Sequence, residues 1–254
     1  MNKTDSKWIA HGRISENAEY NLICFPFAGG SASAYAPWVR VLGENISLFP
    51  VLYPMREKRM REPMPASLSV LAENFTAETP AAFEKPYILL GHCTGAMTAY
   101  ETFKNAVRLY GRKPSLFVAV SAPSPRMKIT DRSLRTFSDE DMLKYMAEKN
   151  LVDEKTLALK DFVKYYIPIF KTDFILHDEY DCCNAEKLDC DVIVLTGTDD
   201  KLVDNEKIMD WKNFTTGSFE HISYSGDHFF INSHLNEVIE LIKSKIFTGA
   251  VNNG

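Results

Sequence analysis

The chain has 254 residues, 45% of them hydrophobic and 25% charged, with a formal net charge of −5 at pH 7. That make-up fits one sizeable α/β domain of a soluble protein and lacks the basic balance that a nucleic-acid partner requires. No window reaches the apolar length of a membrane span, and the N-terminal MNKTDSKWIAHGRISEN has no signal-peptide core. Neither membrane nor export is expected; the expected location is cytoplasmic.

In chain order, Tyr20–Phe27 (YNLICFPF) is a strand pattern, followed by the small-residue loop Ala28-Gly29-Gly30-Ser31-Ala32-Ser33. A short helix is predicted over Tyr35–Leu42, then a second strand over Ile46–Tyr53, where Pro50 argues against a central position. The arginine-rich loop from Pro54 to Arg61 precedes an amphipathic helix running from an N-cap at Ser67 to about Phe83. Tyr87-Ile88-Leu89-Leu90 is apolar throughout, as a strand buried on both faces is. It turns through Gly91-His92-Cys93-Thr94-Gly95 into a helix ending near Gly111, and Leu116–Val120 is a further buried strand.

Between Pro123 and Cys190 the β/α alternation stops. Ser138–Lys149 opens on Ser-Asp-Glu-Asp, an N-cap with an acidic first turn. Lys155–Leu176 is rich in apolar and aromatic residues, and Pro168 is expected to break or kink any helix there. Phe162, Tyr165, Tyr166, Ile169 and Phe170 recur at helical spacing as one stripe. We expect this stretch, about 124–189, to be a helical insert acting as a lid, with Tyr166 and Phe170 lining the pocket. Val192–Thr196 resumes the sheet, Asn205–Phe214 is helical, Phe219–Tyr224 is a strand and Ile231–Phe247 a closing amphipathic helix. The expected fold is a single α/β-hydrolase domain over residues 1–254, a mostly parallel sheet with helices on both faces. Five cysteines, an odd number, are expected to be reduced thiols. Cys182, Cys183 and Cys190 lack a C-x-x-C spacing, so no metal is expected.

A strand, a sharp turn and a helix with a nucleophile at the apex make the pattern G-x-S-x-G, here with Cys93 in the place of serine. Glycines two before and two after the apex let the helix start double back over the strand end. The apex also sets the sulfur at a helix N-terminus, where backbone N–H groups favour a thiolate. A thiol needs a base, and the base an orienting acid. Of six histidines, His228, in the loop Ser225-Gly226-Asp227-His228 between the last strand and the last helix, is the expected base, and Phe229 and Phe230 after it would anchor the loop. Asp199 and Asp200 both follow the strand ending at Gly197; Asp200, three residues past that glycine, is preferred as the acid. The oxyanion of a tetrahedral intermediate would be held by the N–H groups of Thr94 and Ala28.

Four segments together resemble the type II thioesterases of nonribosomal peptide and polyketide synthase pathways. They are Phe25-Pro26-Phe27-Ala28-Gly29-Gly30-Ser31-Ala32, Pro54-Met55-Arg56-Glu57-Lys58-Arg59, Gly91-His92-Cys93-Thr94-Gly95-Ala96 and Gly226-Asp227-His228-Phe229-Phe230. The resemblance runs from about Asn21 to Ile246. It implies cleavage of acyl groups from the phosphopantetheine thiol of acyl or peptidyl carrier protein domains, with no cofactor of the enzyme's own. Two positions depart from the family: serine is usual where Cys93 stands, and glycine is frequent where Met55 stands.

The reaction expected is hydrolysis through acyl-Cys93 in a monomeric enzyme. The alternatives are transfer of the acyl group to an amine or alcohol, and carrier binding without turnover. The pocket is expected to include Phe27 and Phe229, and the basic loop, with Arg56, Lys58 and Arg59, is expected to steer acidic carriers to its mouth.

Overall fold

In the computed structural model, residues 6–129, 134–182 and 185–248 are described. The strands are β1 (Tyr20–Phe25), β2 (Ile46–Pro50), β3 (Tyr87–His92), β4 (Leu116–Val120), β5 (Asp191–Gly197) and β6 (Phe219–Tyr224). They form one sheet in the order β2-β1-β3-β4-β5-β6, with every pairing parallel. The helices are α1 (Leu68–Glu78), α2 (Gly95–Tyr110), α3 (Asp139–Glu148), α4 (Glu154–Leu157), α5 (Lys160–Asp178), α6 (Asn205–Met209) and α7 (Leu235–Thr248). Strands that run parallel must be joined by crossovers, so helices cover the sheet, as the expected α/β-hydrolase fold requires.

The core divides between the two faces of the sheet. One side packs Ile23, Phe25, Leu89, Phe117 and Val194 against α1, α2 and the insert; the other packs Leu22, Leu90, Val118 and Ile193 against Trp38 and α7. Alternate residues of each strand point to opposite faces, which is why the central strands are apolar at every position. Pro50 sits on the edge strand β2, where its missing N–H leaves no ladder gap, and the N-terminal segment caps that edge through antiparallel bridges Ile9–Val51 and Arg13–Leu48.

Local chemistry sets several boundaries. The Ser67 hydroxyl accepts from Val70 N–H at 3.2 Å, but α1 stops at Glu78 because Pro80 cannot continue it, and a short 3-10 turn carries the chain to Phe83. At α3, Ser138 and Asp141 form a reciprocal capping box. Pro168 does not break its helix: α5 runs unbroken from Lys160 to Asp178, losing one backbone hydrogen bond while Ile167, Phe170 and Phe174 pack into the core. The expected stripe also changes: Tyr165 faces solvent and Ile167 replaces it on the buried side.

Candidate active site

The turn after β3 has the strained form its sequence demands. Cys93 adopts φ +54, a left-handed conformation costly for any residue with a Cβ. It is pinned by its N–H to Val120 C=O at 2.8 Å. A Cβ on Gly95 would lie 2.3 Å from Phe25 O, and one on Gly91 2.3 Å from Ala96 Cα, so only glycine fits either place. The sulfur thus stands buried at the start of α2. Met55, at the other departure from the family, is likewise left-handed, with φ +67.

The loops after β5 and β6 converge on it. His228 Nδ1–H donates to Asp200 Oδ2 at 2.9 Å, and the other carboxylate oxygen accepts from Leu202 N–H at 2.8 Å. Asp199 stays exposed, its N–H spent on Gly226 C=O. Burial alone would strip His228 of its proton. Interaction with the Cys93 sulfur and with the Asp200 carboxylate, through both electrostatics and hydrogen bonding, outweighs it and lifts the imidazole to about 10. Burial pushes the Asp200 carboxyl up, but the bond and charge of His228 and the Leu202 N–H carry it below its ordinary value. His228 interacts with the Cys93 sulfur, and the two line one small apolar cavity with Ala28, Phe27, Leu151, Phe170, Phe174, Leu202 and Phe229.

The N–H groups of Ala28 and Thr94 carry no hydrogen bond among the described residues. Buried donors are normally paired, so two that are left open, one on a residue lining the cavity with Cys93 and one on the residue after it, stand out.

The arginine-rich loop is not what its sequence suggests. Arg56 is buried, pairing with Asp173 of α5 through Nη2 to Oδ1 at 2.7 Å and Nη1 to Oδ2 at 2.9 Å, and bonding Gly30 C=O at 2.6 Å. Arg59 is buried too, 4.0 Å over the Trp8 ring and bonded to Leu52 C=O and Glu62. Neither is free to meet a docking partner; of the three residues expected to steer carriers, Lys58 alone is exposed. Fixed arginines shape the loop instead, because a guanidinium can satisfy several carbonyls at once.

A groove of about 240 Å³ opens beside the small cavity, walled by Phe27, Gly29, Met146, Phe162, Tyr166 and Phe229. Phe27 and Phe229 meet edge to face at 5.0 Å, and Phe162 stacks on Tyr166 at 4.9 Å. The four residues expected in the pocket, Phe27, Tyr166, Phe170 and Phe229, all line it.

His92 escaped the sequence reading because it adjoins the nucleophile, too close in the chain to serve as its base. Its Nε2–H donates to the His228 backbone carbonyl at 3.0 Å, and burial, then the charge of His228, lowers it to about 3. It therefore holds the His228 loop as a neutral donor. Ser121, at φ +46 after β4, lies beside Asp200 and was equally invisible, since its role depends on a strand neighbour. Cys183 lies outside the described residues; among those described, no group of three His, Cys, Asp or Glu residues could hold a metal ion. No described helix is long and apolar enough to cross a membrane.

A family model for the thioesterase domain matches residues 20–246. A probable cadicidin biosynthesis thioesterase of Streptomyces griseus is 31% identical over 237 residues, 92% of this chain and 64% of that one. Among solved structures, the RedJ thioesterase of the prodiginine pathway in Streptomyces coelicolor superposes with a TM-score of 0.82 at 27% identity, over 90% of this chain and 91% of that one. The type II thioesterase BorB from the borrelidin biosynthetic cluster reaches 0.84 at 26% identity, over 94% and 97%.

Proposed function

The chain belongs to the thioesterase domain family, and from that premise we propose that it cleaves acyl groups from the phosphopantetheine thiol of acyl or peptidyl carrier domains through Cys93, His228 and Asp200. The observation carrying this is the imidazole set between two groups: His228 Nδ1 is held by Asp200, and its other side meets the Cys93 sulfur in one cavity. Similarity to thioesterases named for biosynthetic pathways supports the choice of carrier-bound substrates.

The steps follow from the charges. Cys93 Sγ attacks the thioester carbonyl, whose oxygen takes the negative charge and the N–H bonds of Ala28 and Thr94. The carbon–sulfur bond to pantetheine breaks, and the His228 Nε2 proton goes to the departing sulfur. Acylation removes the negative charge of Cys93, and with it a leading cause of the raised imidazole pKa. The neutral His228 can then take a proton from water as its oxygen attacks acyl-Cys93. Collapse releases the carboxylic acid and the thiol. The insert serves as lid, with the groove beside Tyr166 receiving the acyl chain.

Acyl transfer is the second reading. The apolar cavity at Cys93 favours it, because an amine or alcohol admitted there meets little competing water. Treating the protein with an acyl-pantetheine should give an intact-mass increment of one acyl group, abolished by Cys93→Ala. Cys93→Ser should retain partial turnover and shift the partition from added amine towards water. A wild type without adduct, together with a Cys93→Ala variant hydrolysing at the wild-type rate, would overturn the role of Cys93.

A further inference from the structure

The small-residue loop after β1 is soft by composition, and its shape comes from outside. Gly30 N–H closes a turn on Phe27 C=O at 2.8 Å, with Gly29 inside it at φ +74. Glycines lower the barrier to other loop geometries, so such a turn presents Ala28 N–H in one direction only if its other groups are held. They are held. Asp173 Oδ2 accepts the Gly29 N–H at 2.7 Å, and Arg56 Nη1 donates to Gly30 C=O at 2.6 Å. The two side chains are joined by a two-pronged ion pair, 4% and 6% exposed. A charge-assisted fork of this kind is short and directional, and the guanidinium has no accessible neutral form through which to relax.

Asp173 belongs to α5, 144 residues beyond the glycine it holds. Phe170, one turn earlier on the same helix, presses the same glycine: a Cβ there would meet its ring at 2.8 Å. The helix therefore touches the loop with one apolar and one anionic group. Every polar backbone group of Gly29 and Gly30 that these contacts reach is spent, and the Ala28 N–H beside Cys93 is left open.

We propose that Asp173 and Arg56 are positioning residues which let the insert helix set the second oxyanion donor. Displacing α5 would remove the acceptor of Gly29 N–H, so the docked insert and the competent oxyanion site are one arrangement. The inference rests on the reading of Cys93 as the acylated nucleophile.

The test compares two reactions of the same sulfur. Acylation by an acyl-pantetheine needs the oxyanion donors; alkylation by iodoacetamide, mapped to the Cys93 peptide, needs the thiolate alone. Arg56→Lys keeps the charge but loses the fork, and the double variant R56Q/D173N removes both charges together, sparing the stranded guanidinium of Asp173→Asn. Both should acylate on the order of 100-fold more slowly, with kcat reduced, KM little changed and alkylation at the wild-type rate. Unchanged acylation in either folded variant would overturn the proposal, as would acylation and alkylation falling by one factor, or loss of the fold in both variants. A wild type that alkylates but forms no acyl adduct, with a Cys93→Ala variant hydrolysing acyl-pantetheine at the wild-type rate, would instead sink the nucleophile assignment, on which this inference depends.

Discussion

Two buried carboxylate–cation pairs, one beside Cys93 and one behind the loop after β1, are built alike. His228–Asp200 closes at 2.9 Å with side chains 2% and 4% exposed; Arg56–Asp173 closes at 2.7 Å with 4% and 6%. Their difference lies in the proton. An imidazole can surrender its charge when its surroundings change, so the first pair suits proton transfer. A guanidinium cannot, so the second remains a brace whatever happens at the sulfur. Similar geometry thus yields one pair that can release a proton and one that cannot.

The largest expected effect separates them by chemistry. Asp200→Asn should lower kcat by about 10⁴-fold, because the imidazole loses the carboxylate that fixes its tautomer, while the melting temperature falls little: an imidazole, unlike a guanidinium, can give up its proton. Steady-state kinetics beside calorimetry would expose the contrast, and a loss of fold matching the loss of rate would erase it. The reverse is expected at the other pair. Asp173→Asn leaves a buried guanidinium uncompensated and should cost about 3–5 kcal/mol of stability, measurable by urea unfolding.

The pH response sharpens the comparison further. His228 is raised from about 6.5 to about 10, so its contribution to stability is fully present below the lower value and fades as pH rises towards the upper one. Cys93→Ala removes a leading cause of that rise, and the imidazole should then titrate at lower pH, as nuclear magnetic resonance of its ring protons would record. An unmoved titration would mean that Asp200 alone sustains the charge.

Smaller effects are expected away from both pairs. Tyr166→Ala, at a half-open groove wall, should shift acyl-chain preference several-fold with little change in melting temperature, since the side chain is 44% exposed. Phe170→Ala is a poorer probe, because its ring sits in the core at 4.7 Å from Phe174 and its loss would cost stability as well. Least of all, Lys58→Glu should slow turnover of an acidic carrier by a few-fold at low salt and spare free acyl-pantetheine. Equal slowing of both substrates would remove the remaining exposed member of the expected docking set.

What the chain announces by itself is whatever obeys local rules. The turn at Cys93 was legible because sterics require glycine at Gly91 and Gly95, a constraint spanning five consecutive residues. The central strands were legible because burial on both faces leaves no polar position, and Pro50 marked its strand as an edge for want of one N–H. The preference for Asp200 over Asp199 came from spacing after Gly197; the structure adds that Asp200 is the one at hydrogen-bond distance from His228.

Tertiary structure alone decided the fate of the charges. A run of Arg56, Lys58 and Arg59 reads as a solvated basic loop, since burying an arginine is costly unless a partner waits. The partner of Arg56 is 117 residues away on a helix whose inward face no local pattern specifies, and that of Arg59 includes the ring of Trp8. Pro168 likewise looked like a breaker because its lost hydrogen bond is a local cost, whereas the packing of Ile167, Phe170 and Phe174 that outweighs it is not. His92 and His228 are drawn from one residue type, with rings 5.2 Å apart, yet one is held near 3 and the other near 10. Their separation comes from Asp200 and Cys93, which reach His228 only once the sheet has brought three distant loops to one point.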